Sequence, residues 1–374
     1  MVLLAEDMPE ITEVRQEIGA GKIVALWKPD WKLALLVRNF CNENSVTTLH
    51  LQHEFNMYHR SYARGAVYFL LTLLLSIKRE RKIIVTLHAV ASLRSLDSKI
   101  KEKLHLSKML RIPLLFQALL GGFYKIIARF SNQIVVHSVY ARNILLDEIG
   151  LSPLNCKVIP HGIPQLDQIE KFTKTPELLE LMEAIAGRKV IFCFGYLARR
   201  KGIEDLLRAT ALACEDLKQH IVVIGGRPIG EDHSYEFELK NLASELSLNR
   251  HVLFTGFLNE NEMLYLLRNC EMVIAPYSLS ISSSGVVAMT IGAAKPLIVS
   301  DQPVLRELLT ENENSLFYKS SDFKTLADKI VELAQSSELQ AKLSEGATKL
   351  RDLLSWDQVA IQHFSELYGH VRKD

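Results

Sequence analysis

A chain of 374 residues is long enough to fold as two domains, each with its own hydrophobic core. Hydrophobic residues make up 48% and charged residues 23%, a balance that excludes a largely disordered protein. A net charge of +1 argues against a protein that binds nucleic acid through bulk charge, so no nucleic-acid partner is expected.

The five cysteines are scattered, and most lie in apolar runs without the spacing of metal ligands. They predict buried thiols that bind no metal, in a reducing compartment and hence in a cytoplasmic protein. No cofactor is expected. The opening residues, MVLLAEDMPE, turn acidic too early for a signal peptide. The longest apolar run, 65–77, is shorter than the roughly 20 residues that cross a bilayer.

Short β-branched runs alternate with longer helical patterns, which predicts an α/β protein with parallel sheets covered by helices. In the first half we expect strands at 2–5, 22–27, 46–51, 82–88, 133–137 and 157–160. The helices expected between them are 32–42, 62–77, 113–129 and 140–149.

Polar residues follow three of these strands. In open parallel sheets, ligands bind outside the carboxyl ends of the strands. We therefore predict that the first domain binds an acceptor there, although any one such residue is more often structural. The predicted acceptor-side residues are His53, Glu54, His88, His137 and Ser138.

Prolines, a glycine and no clear period predict a linker over 160–179. The strands expected after it are 190–195, 220–226, 251–256, 271–276 and 296–300, and the helices are 203–214, 235–246, 260–269, 285–293 and 304–309. From 323 onward the pattern is helical, with a last helix over 356–371. Together these patterns predict two Rossmann-like, doubly wound domains, 1–165 and 166–355, with a cleft between them and a C-terminal helical segment, 356–374.

Two segments of the second domain are suited to bind phosphate. In the first, a polar loop over 278–284 leads into a helix at Gly285, where amide N–H groups and the helix dipole attract an anion. An ordinary serine helix cap is the alternative interpretation. The predicted phosphate-binding residues of this segment are Ser283, Ser284, Gly285 and Val286.

The second phosphate-binding candidate is FGYLARRKG, 194–202. Its cations, Arg199, Arg200 and Lys201, precede a helix whose dipole they oppose, and a bound diphosphate would account for them. A solvated basic turn is the alternative. Gly195 allows close approach of a ligand, and Lys201 is the strongest single candidate.

Glycines also end the next two strands of the second domain. We predict that Gly226, Gly256 and Phe257 admit the base or the ribose of a nucleotide. Tight turns between strands and helices would also explain the two glycines.

The order of these motifs resembles the retaining glycosyltransferases of family 4, also called glycosyl transferases group 1, which have the GT-B fold. The resemblance rests on Gly195-x-Leu-x-x-x-Lys-Gly, on Val252-x-Phe-x-Gly, on the strand that ends in Ala275-Pro276, on the serine-rich loop and on Ala293-AKPLI. It is strongest over 190–300 and extends to the first half through LQHEF, VTLH, VHS and VIPHGI.

The resemblance implies a hexosyltransferase that moves a sugar, with retention, from a UDP-, GDP- or ADP-linked donor to a glycan or a lipid-linked acceptor. The second domain would bind the donor, and the last helix would cross back to the first domain. Lys201 and His88 are the implied catalytic residues, with Lys201 and the two arginines neutralising charge on the leaving diphosphate.

Three departures separate this chain from many of those relatives. Ile281 and Met289 stand where two glutamates are common, and Tyr196 stands where an arginine is common. The resemblance also begins inside the first domain, without the usual N-terminal glycine-rich unit, which predicts an incomplete first domain. Two hypotheses therefore compete with a hexosyltransferase: a catalytically silent or partner-dependent GT-B module, and another GT-B enzyme such as a nucleotide-sugar epimerase or a phosphorylase.

Basic residues outnumber acidic ones between 60 and 142. Within this region, 99–129 combines lysines and arginines with many leucines, a pattern suited to a membrane interface. We predict peripheral contact of this segment with the cytoplasmic face of a membrane. A helix whose apolar side packs on the sheet is the alternative.

Overall fold

The computed structural model describes residues 2–6, 17–18, 21–27, 32–54, 57–59, 61–94, 113–169, 171–185, 187–228, 234–280 and 283–368. The described chain divides into two compact units, residues 2–94 with 113–158 and residues 159–368. None of the helices in these ranges is long and apolar enough to cross a membrane.

The described residues of the first unit form two sheets. The smaller one has strands β1 (Val2–Glu6), β2 (Glu17–Ile18) and β3 (Gly21–Trp27), and β3 pairs with β1 in parallel and with β2 antiparallel. The larger sheet is parallel and takes its strands in chain order: β4 (Thr48–His53), β5 (Lys82–Leu87), β6 (Gln133–Val136) and β7 (Cys156–Val158). The helices of this unit are α1 (Leu33–Glu43), α2 (Tyr62–Leu75), α3 (Pro113–Phe130) and α4 (Val139–Asp147).

Strand β5 shows why this sequence forms a central strand. Its residues Ile83 to Leu87 are all buried, which is typical of a parallel sheet covered on both faces. Each large apolar side chain buried in this way stabilises the folded state by about 1.5–3 kcal/mol relative to an exposed one. The register places His53, Leu87 and Val136 in one row across the sheet, so the residues that follow them lie at the same edge.

Arg81, one of the basic residues of the first half, has a structural role. It is 6% exposed, and its guanidinium donates hydrogen bonds to the carbonyls of Val46 and Ser76 and to Oδ1 of Asn42. The guanidinium therefore joins the ends of α1 and α2 to the segment that leads into β4.

The second unit contains one parallel sheet of six strands in the order β10-β9-β8-β11-β12-β13. The strands are β8 (Lys189–Phe194), β9 (His220–Gly225), β10 (Val252–Gly256), β11 (Met272–Ala275), β12 (Leu297–Ser300) and β13 (Leu316–Tyr318). The chain runs from β8 to one edge of the sheet and then returns to build the other side. The strand order therefore reverses between β8 and β11, and ligands bind at such a switch point in doubly wound folds.

Helices connect and follow these strands. They are α5 (Pro176–Ile185), α6 (Ile203–Ala213), α7 (Ser234–Glu245), α8 (Glu260–Asn269), α9 (Gly285–Gly292), α10 (Pro303–Arg306), α11 (Phe323–Gln335), α12 (Ser337–Leu353) and α13 (Trp356–His363). A π-helical turn, Phe364–Tyr368, extends the last of them.

Apart from small shifts at their ends, the predicted elements match the observed ones with four differences, of which the first is the unpredicted two-residue strand β2. Helix α5 occupies the end of the predicted linker, because Pro176 suits a first helical position and Leu178, Leu181 and Ile185 form one buried face. Strand β13 was not predicted, since three residues are too few to show a period. The helix predicted over 304–309 begins at Pro303 and ends at Arg306.

Candidate functional site

The ends of three neighbouring strands in the second unit form the floor of the candidate donor site. Phe194 of β8 lies opposite Gly225 of β9, which in turn lies opposite Gly256 of β10. The residues that follow, including Gly195 and Gly226, are therefore at one edge. Gly226 has a φ of 148°, and a Cβ there would overlap the carbonyl of Gly195, so only glycine fits.

The two predicted phosphate-binding segments lie against each other at the switch point. The backbone N–H groups of Ser278 and Leu279 donate to the carbonyl of Arg200 at 3.0 and 3.2 Å. Gly202 has a φ of 64°, and a Cβ there would overlap the carbonyl of Pro276. These contacts hold the basic turn and the polar loop together as one structure.

Tyr277, which was not predicted as a site residue, links the side chains of these two segments. The Nζ atom of Lys201 lies 4.0 Å from the centroid of its ring. Its hydroxyl hydrogen-bonds the Oγ atom of Ser284 at 2.7 Å. The only sequence signal was an aromatic residue directly after the proline that ends a strand.

Helix α9 begins at this point. The Ser284 hydroxyl caps it by accepting a hydrogen bond from the Val287 N–H at 3.4 Å, so the predicted serine cap is present. The first turn contains no acidic residue, and the N–H groups at a helix start lack intrahelical partners and carry partial positive charge. A Cβ on Gly195 would lie 3.3 Å from Cγ2 of Val286, so the start of α9 is next to the β8 turn.

The three cations of the basic turn have different environments. Arg199 donates to the Glu238 carboxylate at 2.7 Å and lies over the ring of Tyr235, so its side chain is directed to α7. This hydrogen bond raises the pKa of Arg199. Arg200 is half-buried, and its carbonyl accepts the hydrogen bonds from Ser278 and Leu279. The Lys201 ammonium lies over the ring of Tyr277, whose hydroxyl bonds the Ser284 cap of α9.

A small cavity beneath the turn is lined by Cys193, Gly195, Lys201 and Tyr277, among others. Burial raises the pKa of the Cys193 thiol to about 12. The thiol is therefore neutral near pH 7 and unsuited to act as a nucleophile.

The residues predicted to bind the base or ribose also lie together. The Gly226 N–H donates to the carbonyl of Gly256 at 2.7 Å. Phe257 is 63% exposed, and the guanidinium of Arg227 lies 4.8 Å from the centroid of its ring. An exposed aromatic ring beside a guanidinium is suited to stack on a nucleobase. Arg227 was not predicted, although it directly follows the glycine pair.

At the carboxyl edge of the larger sheet in the first unit, three side chains form a hydrogen-bonded chain. Nε2 of His88 is 2.8 Å from Oε1 of Gln52, and Nδ1 of His88 is 3.1 Å from Nε2 of His137. With Gln52 accepting through its oxygen, His88 carries its proton on Nε2, and its Nδ1 accepts from His137. Both ring nitrogens of His88 are thus engaged within the protein.

The other predicted acceptor-side residues have different surroundings. His53 is 1% exposed, and its ring packs against those of Phe69 and Phe123. Burial, with a smaller effect of His88, lowers the pKa of His53 to about 3. Ser138 caps α4 by accepting from the Ala141 N–H at 3.0 Å, and Glu54 is half-buried at the end of β4.

The three positions at which this chain departs from many family 4 glycosyltransferases lie in different environments. Tyr196 is 53% exposed, Met289 is half-buried on α9, and Ile281 lies outside the described residues. Across the described ranges, no group of three His, Cys, Asp or Glu side chains is arranged to hold a metal ion.

The strand order with its switch point defines a doubly wound α/β protein, and solved structures specify its fold. The structure of HepE from Anabaena in complex with UDP and glucose superposes with a TM-score of 0.71 at 15% identity, covering 99% of both chains. Sucrose-phosphate synthase from Thermosynechococcus elongatus superposes with a TM-score of 0.72 at 16% identity, covering 98% of this chain and 88% of that one. The fold is GT-B, as predicted.

Sequence comparison then finds a family match within the second unit. Residues 182–350 match the family described as Glycosyl transferases group 1. An uncharacterized glycosyltransferase of Methanocaldococcus jannaschii is 23% identical over 290 residues, which is 75% of this chain and 70% of that protein. The phosphatidyl-myo-inositol mannosyltransferase of Mycobacterium leprae is 26% identical over 277 residues, which is 72% of this chain and 67% of that protein. The match over residues 182–350 agrees with the predicted resemblance to the glycosyl transferases of group 1.

Proposed function

We propose that this protein transfers a hexose, with retention, from a nucleotide diphosphate sugar to a glycan or a lipid-linked acceptor. The observation that carries this proposal is that Tyr277, at the switch point of the second sheet, contacts both the Lys201 ammonium and Ser284 at the start of α9. A diphosphate is the part of the donor that suits both groups, since one supplies a full positive charge and the other supplies free amide donors.

Lys201 and α9 would act on the leaving group. In the proposed reaction the bond between the anomeric carbon and the diphosphate oxygen breaks, and the acceptor oxygen bonds to the same carbon from the same face. The acceptor proton passes to the leaving diphosphate. Because the diphosphate gains negative charge as it leaves, an ammonium already held beside it stabilises the transition state more than the ground state.

The donor proposed first is a UDP-sugar. HepE, which shares the fold, was crystallised with UDP and with UDP-glucose. In this chain, the Phe257 ring and the Arg227 guanidinium offer a stacking surface that accepts any base. GDP- and ADP-sugars are therefore the alternatives to test beside UDP-sugars.

On the acceptor side, the proposal uses His88 and His137 rather than His53. The ring of His53 is in the core, whereas His88 and His137 are half-buried at the strand ends. Since both ring nitrogens of His88 are engaged, an acceptor hydroxyl that bonds His88 must displace Gln52 or His137.

A lipid-linked acceptor is supported by the name of the Mycobacterium leprae relative and by the surface of the first unit. Helix α3 exposes Leu115 and Leu119 together with Lys125 and Arg129, while the part of the predicted membrane segment from 99 to 112 lies outside the described residues. Exposed leucines beside cations suit an anionic membrane surface. Flotation with anionic liposomes at low salt tests this contact, and absence of binding there would exclude it.

The deciding experiment is a donor panel of UDP-, GDP- and ADP-sugars, with calorimetric binding and release of the nucleotide measured on the same samples. We expect one donor to bind and to be hydrolysed slowly without an acceptor. With glycan or lipid-linked acceptors added, NMR of the product should show the anomeric configuration of the donor. An inverted product would refute retention, and absence of donor binding would refute the donor site.

A binding module without turnover is the second candidate. The pairing of Arg199 with Glu238 and the full engagement of His88 favour it, since both remove predicted functional groups from a substrate. Binding of a donor without hydrolysis or transfer to any acceptor would establish this alternative.

A further inference from the structure

Tyr277 lies where the two halves of the proposed donor site meet, and its contacts reach both. It is 3% exposed, in the loop that follows β11. Its carbonyl accepts a hydrogen bond from Nε2 of Gln302 at 3.2 Å, and the next residue, Ser278, is bonded to the carbonyl of Arg200. The backbone on both sides of the ring is therefore fixed.

The ring face of Tyr277 restrains Lys201. A lysine side chain has several rotatable bonds, and fixing it at the moment of binding costs conformational entropy. With Nζ at 4.0 Å from the ring centroid, a cation–π contact holds the ammonium before any ligand arrives. A diphosphate that binds Lys201 then loses less entropy.

The hydroxyl of Tyr277 restrains the other half of the site. Ser284 caps α9 through its Oγ atom, which also bonds the Tyr277 hydroxyl at 2.7 Å. When the Tyr277 hydroxyl donates to Ser284, the Ser284 hydroxyl keeps its own proton for an anion at the helix start. One side chain thus sets the position of the ammonium and the orientation of the cap.

We propose that Tyr277 is a positioning residue of the donor site, which holds the Lys201 ammonium with its ring and the Ser284 cap of α9 with its hydroxyl, so that both meet the diphosphate of a nucleotide. This role of Tyr277 rests on the proposed function.

The two contacts can be removed one at a time. Tyr277→Phe keeps the ring and loses the hydroxyl, so the dissociation constant of UDP should rise about fivefold, the effect of one hydrogen bond. Tyr277→Leu loses both contacts and should raise that constant about twentyfold in total. Calorimetric titration of the full chain with UDP, and with GDP and ADP in parallel, measures both effects.

A double-mutant cycle distinguishes positioning from a general structural role. In a Lys201→Ala background the ring has no ammonium to hold, so Tyr277→Phe and Tyr277→Leu should weaken UDP binding equally, by about fivefold. If Leu remains weaker than Phe without Lys201, the ring does not act through the ammonium and the proposal is overturned. Unchanged UDP binding in Tyr277→Phe and Tyr277→Leu overturns it as well.

Tyr318→Phe is the matched control. Tyr318 is a buried tyrosine on β13 of the same sheet, and its hydroxyl has no hydrogen-bond partner within the described part of the chain. Its loss should leave UDP binding unchanged, and melting temperatures without nucleotide check that each variant folds. If the unmodified protein binds none of the three nucleotides, the proposed donor site fails and this inference fails with it. If it binds one and Lys201→Ala weakens that binding, the function stands and the Tyr277 variants alone decide.

Discussion

The carboxyl edges of the two large sheets differ in what they do with the residues that the sequence marks as functional. In the second unit, Gly195, Lys201 and Ser284 converge, because backbone contacts through Arg200 and Gly202 join their segments. In the first unit, His53 is part of an aromatic core and Ser138 is a helix cap. Glycines and helix starts thus mark a site through backbone geometry, whereas a histidine at a strand end serves packing or chemistry equally well.

The sharpest test of this comparison is between two cations of one turn. Lys201→Ala should lower kcat/KM for the donor by about 100- to 1000-fold, the usual effect of removing a group that stabilises the leaving charge. Arg199→Ala should lower it only a few-fold, because Arg199 already pairs with Glu238. Steady-state release of the nucleotide measures both. Equal effects would mean that Arg199 leaves Glu238 when the donor binds.

A substitution at Gly202 should separate the two segments. In Gly202→Ala, the left-handed backbone costs about 1–2 kcal/mol and the overlap with the Pro276 carbonyl adds to it. We expect a lower free energy of unfolding and loss of donor binding, measured by denaturant titration and calorimetry. Gly187→Ala is the control, since Gly187 has a φ of 73° with open space around its Cβ position, and only the backbone cost applies. Normal donor binding in Gly202→Ala would contradict the conclusion that the contact at Gly202 holds the basic turn and the polar loop together.

His53 should make the first unit sensitive to acid. Its folded pKa of about 3 lies below the usual 6.5, so the folded state keeps it neutral while the unfolded state protonates it. Its contribution to stability is therefore present above pH 6.5 and is lost as pH falls towards 3. Between pH 7 and pH 5 the unfolding free energy should fall by about 2 kcal/mol more in the native protein than in His53→Phe. If the unfolding free energies of the two proteins change in parallel with pH, His53 is not a buried neutral histidine in the folded state.

The smallest expected effect is at His137. His137→Ala removes the donor to Nδ1 of His88, so the KM for the acceptor should rise about fivefold while the dissociation constant of UDP stays the same. His50→Ala is the control, because it removes a bond to Thr86 within β4 and β5 rather than at the strand ends. A change in UDP affinity instead would assign His137 to the donor rather than to the acceptor.

The described parts of the GT-B fold followed closely from the sequence. Buried parallel strands need continuous apolar runs, and the predicted limits of α8, 260–269, coincide with the observed helix. Gly226 and Gly256 lie together as neighbouring strand ends should. Helix α5 and strand β13 escaped prediction, because the linker residues around Pro176 and the three residues of β13 give too short a pattern.

The sequence by itself determined the glycines, the cations and the helix start of the proposed donor site, because these act through local backbone conformation and charge. Only the tertiary structure decided that Arg199 turns to Glu238, that His53 enters the core and that Tyr277 joins Lys201 to Ser284. Lys201 and Tyr277 are far apart in the chain and meet because β8 and β11 are neighbours across the switch point. Side-chain contacts of this kind depend on sheet order and register, which no local pattern of residues encodes.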